Sequence, residues 1–241
     1  MMEEPHRWLE AISNRREYIR DQLKGATPVF AFSRPEGILL LGVGQGMSKV
    51  FEIYDRHGYA ALGHPVDIEK IRQAAIEAAH MEGFSRSSKD VTLRRLISFA
   101  LSTTLKNSFE QIFAPPIMVE ALFAELGETQ AEDVLVRVHF DGNHHYETSG
   151  LVVAANDSKQ EQEATAWIKS HLKEGDSIPQ VGSLAITAWR AIADSIPFAE
   201  LKPAKGVDWK IDGKKVEAAL LDRAAKGSVH YRALKPSETS R

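Results

Sequence analysis

The sequence contains no cysteine, no strongly basic segment and no long apolar run, and each absence removes a class of protein. Without cysteine the chain has no disulfides, no thiolate metal site and no cysteine nucleophile. Its 30 basic residues are balanced by 33 acidic ones without clustering, so no nucleic-acid-binding surface is expected. No apolar run approaches the roughly 20 residues that span a membrane, and the opening segment MMEEPHRWLE lacks the apolar region of a secretory signal. We therefore expect a soluble, cytoplasmic protein that does not contact a membrane.

Helical and extended patterns alternate in blocks along the 241 residues. The predicted helices span residues about 5–23, 66–83, about 90–112, 158–172 and 180–196. The predicted strands span residues 28–33, 37–43, 50–54, 58–62, 118–125, 133–140, about 146–154, 216–222 and 228–234. Asp67 is the predicted N-cap of the second helix, because its side-chain oxygen can accept from a free backbone N–H.

Blocks of strands separated by pairs of helices predict the fold class. They favour two stacked antiparallel sheets with helices on both outer faces, an α+β architecture. No linker-like composition divides the chain, so a single domain over residues 1–234 is expected. The polar residues 235–241 are expected to form a disordered tail.

Lys49 is the side chain whose position most invites a functional interpretation. It stands directly before the third predicted strand, and Gly63 closes the fourth strand. From the residues alone, Lys49 is either a solvated cation or an anion-binding group, and Gly63 is either a turn residue or part of the same site. A compact ammonium with three donors beside an accessible backbone suits a carboxylate.

Two other features resemble ligand sites, but their sequence context argues against that function. His144 and His145 are adjacent in a predicted strand, so their side chains point to opposite faces and are better explained as solvated imidazoles than as metal ligands. The glycines at positions 42, 44 and 46 precede a strand rather than a helix, which argues against a dinucleotide-binding loop. We expect neither a metal nor a cofactor.

Two motifs resemble the α-subunits of the bacterial core-particle proteasome, of the type known from actinobacteria. The first is KVFEIYDRHGYAALG at residues 49–63, and the second is FSRSSKDVT at residues 84–92. The helix before the first strand and the closing segment 216–234 agree with the same family. The resemblance covers about residues 8–234.

This resemblance implies the Ntn-hydrolase fold, a four-layer αββα sandwich with an extra N-terminal helix. It also implies a non-catalytic subunit of a seven-membered ring that caps the catalytic β-subunits and gates the passage of unfolded protein substrates. Lys49, Gly63 and His64 would then receive the C-terminal carboxylate of an AAA+ regulatory ATPase.

The same superfamily leaves a catalytic alternative open, an Ntn threonine hydrolase. Thr27 would be the nucleophile, with its own free amine as general base and Lys49 lowering the pKa of its hydroxyl. Three features argue against it: 26 residues precede Thr27, Pro28 follows it, and Val43 or Gly42 stands where the family has an acid.

Overall fold

Two antiparallel sheets lie face to face between helices in the computed structural model, which describes residues 3–44, 46–204, 206, 210–211 and 213–235. The helices are α1 (Glu3–Leu23), α2 (Pro65–Ser85), α3 (Leu93–Leu96), α4 (Ser102–Glu110), α5 (Ser158–His171) and α6 (Ile178–Asp194). The strands are β1 (Val29–Arg34), β2 (Gly37–Gly44), β3 (Val50–Tyr54), β4 (His57–Gly63), β5 (Val119–Glu125), β6 (Val134–Val138), β7 (His144–Glu147), β8 (Leu151–Ala154), β9 (Lys210–Ile211), β10 (Lys214–Asp222) and β11 (Tyr231–Ala233).

The first sheet has the strand order β11-β10-β2-β1-β8, with β9 pairing beside β10, and the second has the order β3-β4-β5-β6-β7. One apolar cluster fills the space between the sheets, a second joins the first sheet to α5 and α6, and a third joins the second sheet to α2, α3 and α4. Both faces of the central strands are therefore covered, which explains why β1 and β2 are continuously buried. The predicted four-layer αββα sandwich of the Ntn type is confirmed.

The predicted long strand over residues 146–154 is wrong, because two strands occupy this region. β7 joins the second sheet beside β6, and β8 joins the first sheet beside β1. The bend at residues 148–150 includes Gly150, whose φ of 69° suits the change of direction. The segment that resembled a single strand therefore crosses from the second sheet to the first.

The predicted helix over residues 90–112 is interrupted, and the predicted N-cap is displaced. A π-helical turn at Ile97–Leu101 separates α3 from α4. His64 is the N-cap of α2, while the carboxylate of Asp67 accepts a hydrogen bond from the Met118 backbone N–H at 3.0 Å. The predicted tail falls mostly on residues 236–241, outside the described residues.

The N-terminal helix α1 is fastened to the end of the sandwich by polar and apolar contacts. The Arg15 guanidinium donates to the backbone oxygens of Ile112 at 3.2 Å, Ser108 at 2.9 Å and Ala114 at 2.8 Å. Ile19 is fully buried in the cluster between the sheets. In the part of the chain that the structure describes, each helix is too short or too polar to cross a membrane.

Candidate functional site

Lys49 is held at the start of β3 through its own backbone. Its N–H donates to Glu217 Oε2 on β10 at 2.7 Å, and its carbonyl oxygen accepts from the Ala61 N–H on β4 at 3.0 Å. Glu217 lies in the first sheet and Ala61 in the second. The position of Lys49 is therefore fixed from both sheets at once.

The Lys49 ammonium contacts both oxygens of Thr27, the residue two positions before β1. Nζ donates to Thr27 Oγ1 at 2.7 Å and to the Thr27 backbone oxygen at 2.9 Å. The Thr27 hydroxyl in turn donates to the Val43 backbone oxygen on β2 at 2.5 Å. We refer to Thr27, Val43, Lys49 and Glu217 as the Lys49 socket.

The charge in the Lys49 socket is only partly compensated. Burial lowers the pKa of Lys49 to about 8, and the nearby Glu217 carboxylate acts in the opposite direction. Within the described residues, no ion pair joins Nζ to a carboxylate. A partly buried cation whose hydrogen-bond partners are neutral oxygens retains an attraction for an incoming anion.

Two glycines of β2 make room for the lysine side chain. A Cβ added at Gly42 would lie 3.3 Å from Lys49 Cβ, and one added at Gly44 would lie 3.5 Å from Lys49 Cε. The aliphatic part of Lys49 therefore runs across these two residues. The glycines at positions 42 and 44 make room for a cationic side chain.

Gly63 and His64 lie farther along β4 and into α2, and no hydrogen bond or ion pair in the described chain joins them to Lys49. Gly63 has a φ of +136°, and an added Cβ would lie 2.2 Å from the Met118 backbone oxygen. This close approach requires glycine for the pairing of β4 with β5. His64 is exposed, and its backbone N–H donates to the same Met118 oxygen at 3.0 Å.

A second charged cluster, not predicted from the sequence, surrounds Arg137 at the end of β6. Its guanidinium Nη2 lies 2.6 Å from Glu120 Oε2 and 3.1 Å from Glu161 Oε2. His139 Nδ1 lies 3.0 Å from the same oxygen of Glu120. We call Glu120, Arg137, His139 and Glu161 the Arg137 cluster.

The Arg137 cluster lines one wall of a cleft of about 880 Å³ between α1 and the start of α5. Arg16 and Arg20 of α1, and Lys24 directly after it, also line this cleft. Both signs of charge therefore face this cleft, and Arg16 is already paired with Asp141 at 2.7 Å.

The adjacent histidines of β7 have separate partners. His144 Nδ1 lies 2.8 Å from Ser102 Oγ, whereas His145 Nε2 lies 3.5 Å from Glu147 Oε1. Among the described residues, no three metal-ligating side chains converge as a metal site would require.

One distance supports the catalytic alternative, but the free amine and the acid that it requires are not provided at Thr27. Thr27 Oγ1 and Lys49 Nζ lie 2.7 Å apart, as a nucleophile and its assisting lysine would. However, the Thr27 nitrogen is in peptide linkage to Ala26. A carbonyl oxygen of Val43, rather than an acid, accepts the Thr27 hydroxyl.

Sequence comparison identifies relatives of one kind over most of the chain, although no protein-family model matches it. A proteasome subunit alpha of Renibacterium salmoninarum is 32% identical over 223 residues, covering 91% of this chain and 84% of the relative. The corresponding subunit of Actinosynnema mirum is 31% identical over 216 residues, covering 89% and 77%. That of Pseudarthrobacter chlorophenolicus is 30% identical over 217 residues, covering 89% and 85%. On these similarities and this fold, the chain belongs to the proteasome α-subunit family.

Proposed function

We propose that this chain is a non-catalytic subunit of the outer ring of a proteasome core particle. Seven copies form a ring that caps the catalytic β-subunits, gates the passage of unfolded proteins and docks an AAA+ regulatory ATPase in the cytoplasm. Neither a cofactor nor a nucleic acid takes part. Family membership supports the subunit role, and the ammonium of the Lys49 socket is the observation that supports ATPase docking.

The chemistry of the Lys49 socket favours a C-terminal carboxylate as its ligand. The ammonium has three N–H donors, of which Thr27 takes two. Its charge has no paired carboxylate within the described chain, so a negatively charged group gains both a hydrogen bond and a Coulombic attraction there. Gly63 and His64 are proposed to contact the adjoining residues of the bound segment.

An exposed apolar surface on the α2 side supports association with a second ring. Met81, Phe84 and Phe99 are 71%, 95% and 75% exposed, the first two on α2 and the third in the π-helical turn. Exposed apolar side chains of this size, two of them one helical turn apart on α2, are typical of protein–protein interfaces. We assign this surface to the β-subunits.

The docking role is tested by replacing Lys49 in the assembled particle. Lys49→Ala is expected to leave the ring intact by native mass spectrometry and to abolish stimulation of proteolysis by an ATPase with a free C-terminus. Lys169→Ala, at an exposed position of α5, is the matched control and is expected to be stimulated normally. Normal stimulation of Lys49→Ala would remove the docking role, and a monomeric wild-type chain would remove the ring.

A second candidate function, an Ntn threonine hydrolase, is favoured by the 2.7 Å contact between Thr27 Oγ1 and Lys49 Nζ. This function requires removal of the first 26 residues, because only then is the Thr27 amine free to act as a base. Intact mass spectrometry of the purified protein separates the two candidates. A full-length mass excludes the hydrolase, and loss of residues 1–26 excludes the non-catalytic subunit.

A further inference from the structure

We propose that Thr27 is the positioning residue of the carboxylate-binding Lys49 socket: its two oxygens fix two ammonium N–H groups of Lys49 and leave the third to a C-terminal carboxylate. The inference rests on the proposed docking function and deepens it. It assigns to Thr27 a role in ligand binding that does not involve nucleophilic chemistry.

The hydrogen bonds around Thr27 have only one consistent direction. An ammonium is a donor only, so both Thr27 oxygens accept from Lys49 Nζ, at 2.7 and 2.9 Å. The Thr27 hydroxyl hydrogen is committed to the Val43 backbone oxygen at 2.5 Å. A hydroxyl whose hydrogen is already used presents its lone pairs to the lysine, so Thr27 Oγ1 is a fixed acceptor.

The backbone around Thr27 is also restrained. Pro28 follows Thr27, and a residue before proline is confined to extended conformations. Val43, the acceptor of the hydroxyl, lies in a fully buried strand. Thr27 is therefore held between Pro28 and the buried strand β2, and its oxygens hold Nζ in turn.

Fixing Nζ before a ligand arrives favours binding, because an unrestrained lysine loses substantial rotamer freedom when it is immobilised. The stem of Lys49 is confined by the same arrangement, since it crosses Gly42 with little spare room. The third N–H is the one that remains for a ligand. A single free donor with an uncompensated charge selects a carboxylate over a neutral amide.

Glu217, a member of the Lys49 socket, and Tyr231 of β11 both lie on the first sheet, and the Glu52 carboxylate of β3 acts on the same Tyr231 hydroxyl. Glu217 uses Oε2 on the Lys49 backbone N–H, and burial raises the pKa of Tyr231 to about 12, so its hydroxyl is neutral near pH 7. Burial lowers the pKa of Lys49 despite the opposing effect of the nearby Glu217 carboxylate, which agrees with an ammonium that is not directly bonded to a carboxylate. Thr27 is the only side chain of the described residues that accepts a hydrogen bond from Lys49 Nζ.

The test measures binding of a synthetic acetylated decapeptide with a free C-terminal carboxylate to the assembled full-length protein, with the C-terminal amide of the same peptide as reference. Thr27→Val, which keeps the shape and removes the hydroxyl, is expected to weaken binding of the free acid about tenfold. Thr27→Ser is expected to restore wild-type binding. Thr104→Val, which removes an exposed hydroxyl that donates to the Ala100 backbone oxygen, is the matched control and should bind normally.

A readout without ligand separates positioning from general loss of structure. The pKa of Lys49, followed by nuclear magnetic resonance of its side chain, is expected to fall further in Thr27→Val, because a hydrogen bond to the charged form is lost. It is expected to be unchanged in Thr27→Ser and Thr104→Val. An unchanged pKa together with a folded spectrum would overturn the positioning role.

The outcomes also separate this inference from the docking function on which it rests. If Lys49→Ala weakens binding of the free acid and Thr27→Val does not, Thr27 is no positioning residue and the docking function survives. If Lys49→Ala binds the peptide as well as wild type does, or if wild type does not bind it, the docking function fails and the inference fails with it. Tighter binding by Thr27→Val also contradicts positioning, because it would make Thr27 a competitor of the ligand.

Discussion

Arg137 is a buried cation and Lys49 a partly buried one, and the fold treats their charges in opposite ways. Arg137 is 1% exposed and is held by two carboxylates, Glu120 and Glu161. Lys49 is held by the neutral oxygens of Thr27, and the nearest carboxylate is bonded to its backbone N–H instead. Arg137 is paired with carboxylates of the chain, whereas no carboxylate of the described residues forms an ion pair with Lys49 Nζ. This contrast supports our proposals that the Arg137 cluster is structural and that the Lys49 socket binds a ligand.

The difference extends to the geometry of the donors. The Arg137 guanidinium also donates to the backbone oxygen of Val138 at 3.1 Å, so its planar donor set is used in several directions. A lysine offers three donors around one atom, and a single residue such as Thr27 can occupy two of them. An arginine at position 49 would not reproduce this arrangement.

The largest change in stability is expected when Arg137, the cation that is paired with carboxylates, is replaced. Arg137→Met is expected to lower the free energy of unfolding by about 3–5 kcal/mol, because the buried Glu120 and the half-buried Glu161 would lose the guanidinium that pairs with them. Urea unfolding followed by circular dichroism measures this change. A loss below about 1 kcal/mol would mean that the Arg137 cluster is not the structural element we describe.

Removing one carboxylate of the Arg137 cluster is expected to cost less. Glu161→Gln keeps the shape of the side chain but removes the charge near Arg137 Nη2 and weakens the acceptor of the Ala155 N–H, which lies at 3.0 Å. We expect a loss of about 1–3 kcal/mol in the free energy of unfolding. The same urea titration checks it, and a larger loss than for Arg137→Met would reverse the assigned importance of the two side chains.

Replacing Lys49, whose charge is only partly compensated, is expected to change stability little at pH 7. Lys49→Met loses two hydrogen bonds to neutral oxygens but removes the cost of burying a charge, so its free energy of unfolding should stay within about 1 kcal/mol of wild type. A loss comparable to that of Arg137→Met would remove the contrast between the two cations.

The pH dependence of the free energy of unfolding, compared between wild type and Lys49→Met, tests the lowered pKa of Lys49. Between pH 8 and about 10.5, the folded chain has lost the Lys49 proton while the unfolded chain still binds it. Stability rises with pH where the unfolded state binds more protons. The difference in unfolding free energy, wild type minus Lys49→Met, should therefore increase across this range, and a flat difference would contradict the shift.

An exposed ion pair gives the smallest effect and a baseline for the others. Lys159 Nζ lies 3.8 Å from Glu163 Oε1 on α5, and the two side chains are 82% and 49% exposed. Lys159→Ala is expected to change the free energy of unfolding by less than about 0.5 kcal/mol. A larger change by thermal or urea unfolding would show that charge removal alone perturbs this fold, whatever its burial.

The sequence was sufficient to predict the sandwich, because the order of strands and helices follows from local patterns. The proximity of Thr27 to Lys49 was expected only from the family resemblance, within the catalytic alternative. The sequence was insufficient for Glu217, which lies 168 residues from Lys49 along the chain. The one indication in the sequence was that Glu217 is the single acid within the apolar segment VEAALL, where a carboxylate needs a hydrogen-bond partner. The Arg137 cluster was not predicted either, because its members come from β5, β6 and α5 and are distant in the sequence.

The errors in secondary structure also have physical causes. β7 and β8 together resemble one strand because both are extended and only a short bend at residues 148–150 separates them. The π-helical turn at Ile97–Leu101 keeps the apolar spacing of a helix, so periodicity alone does not reveal the extra residue. Asp67 was a chemically suitable N-cap, but its carboxylate is used by the Met118 backbone N–H.

The fastening of α1 by Arg15 sets an order of events during synthesis. The oxygens that Arg15 contacts belong to residues 93–99 positions later in the chain. At about 5–20 residues per second, the ribosome supplies them on the order of 5–20 seconds after α1 has been made. The first helix to be synthesised therefore cannot make these three hydrogen bonds until α4 and the segment after it have been made, by which time β1 to β4 have already been synthesised.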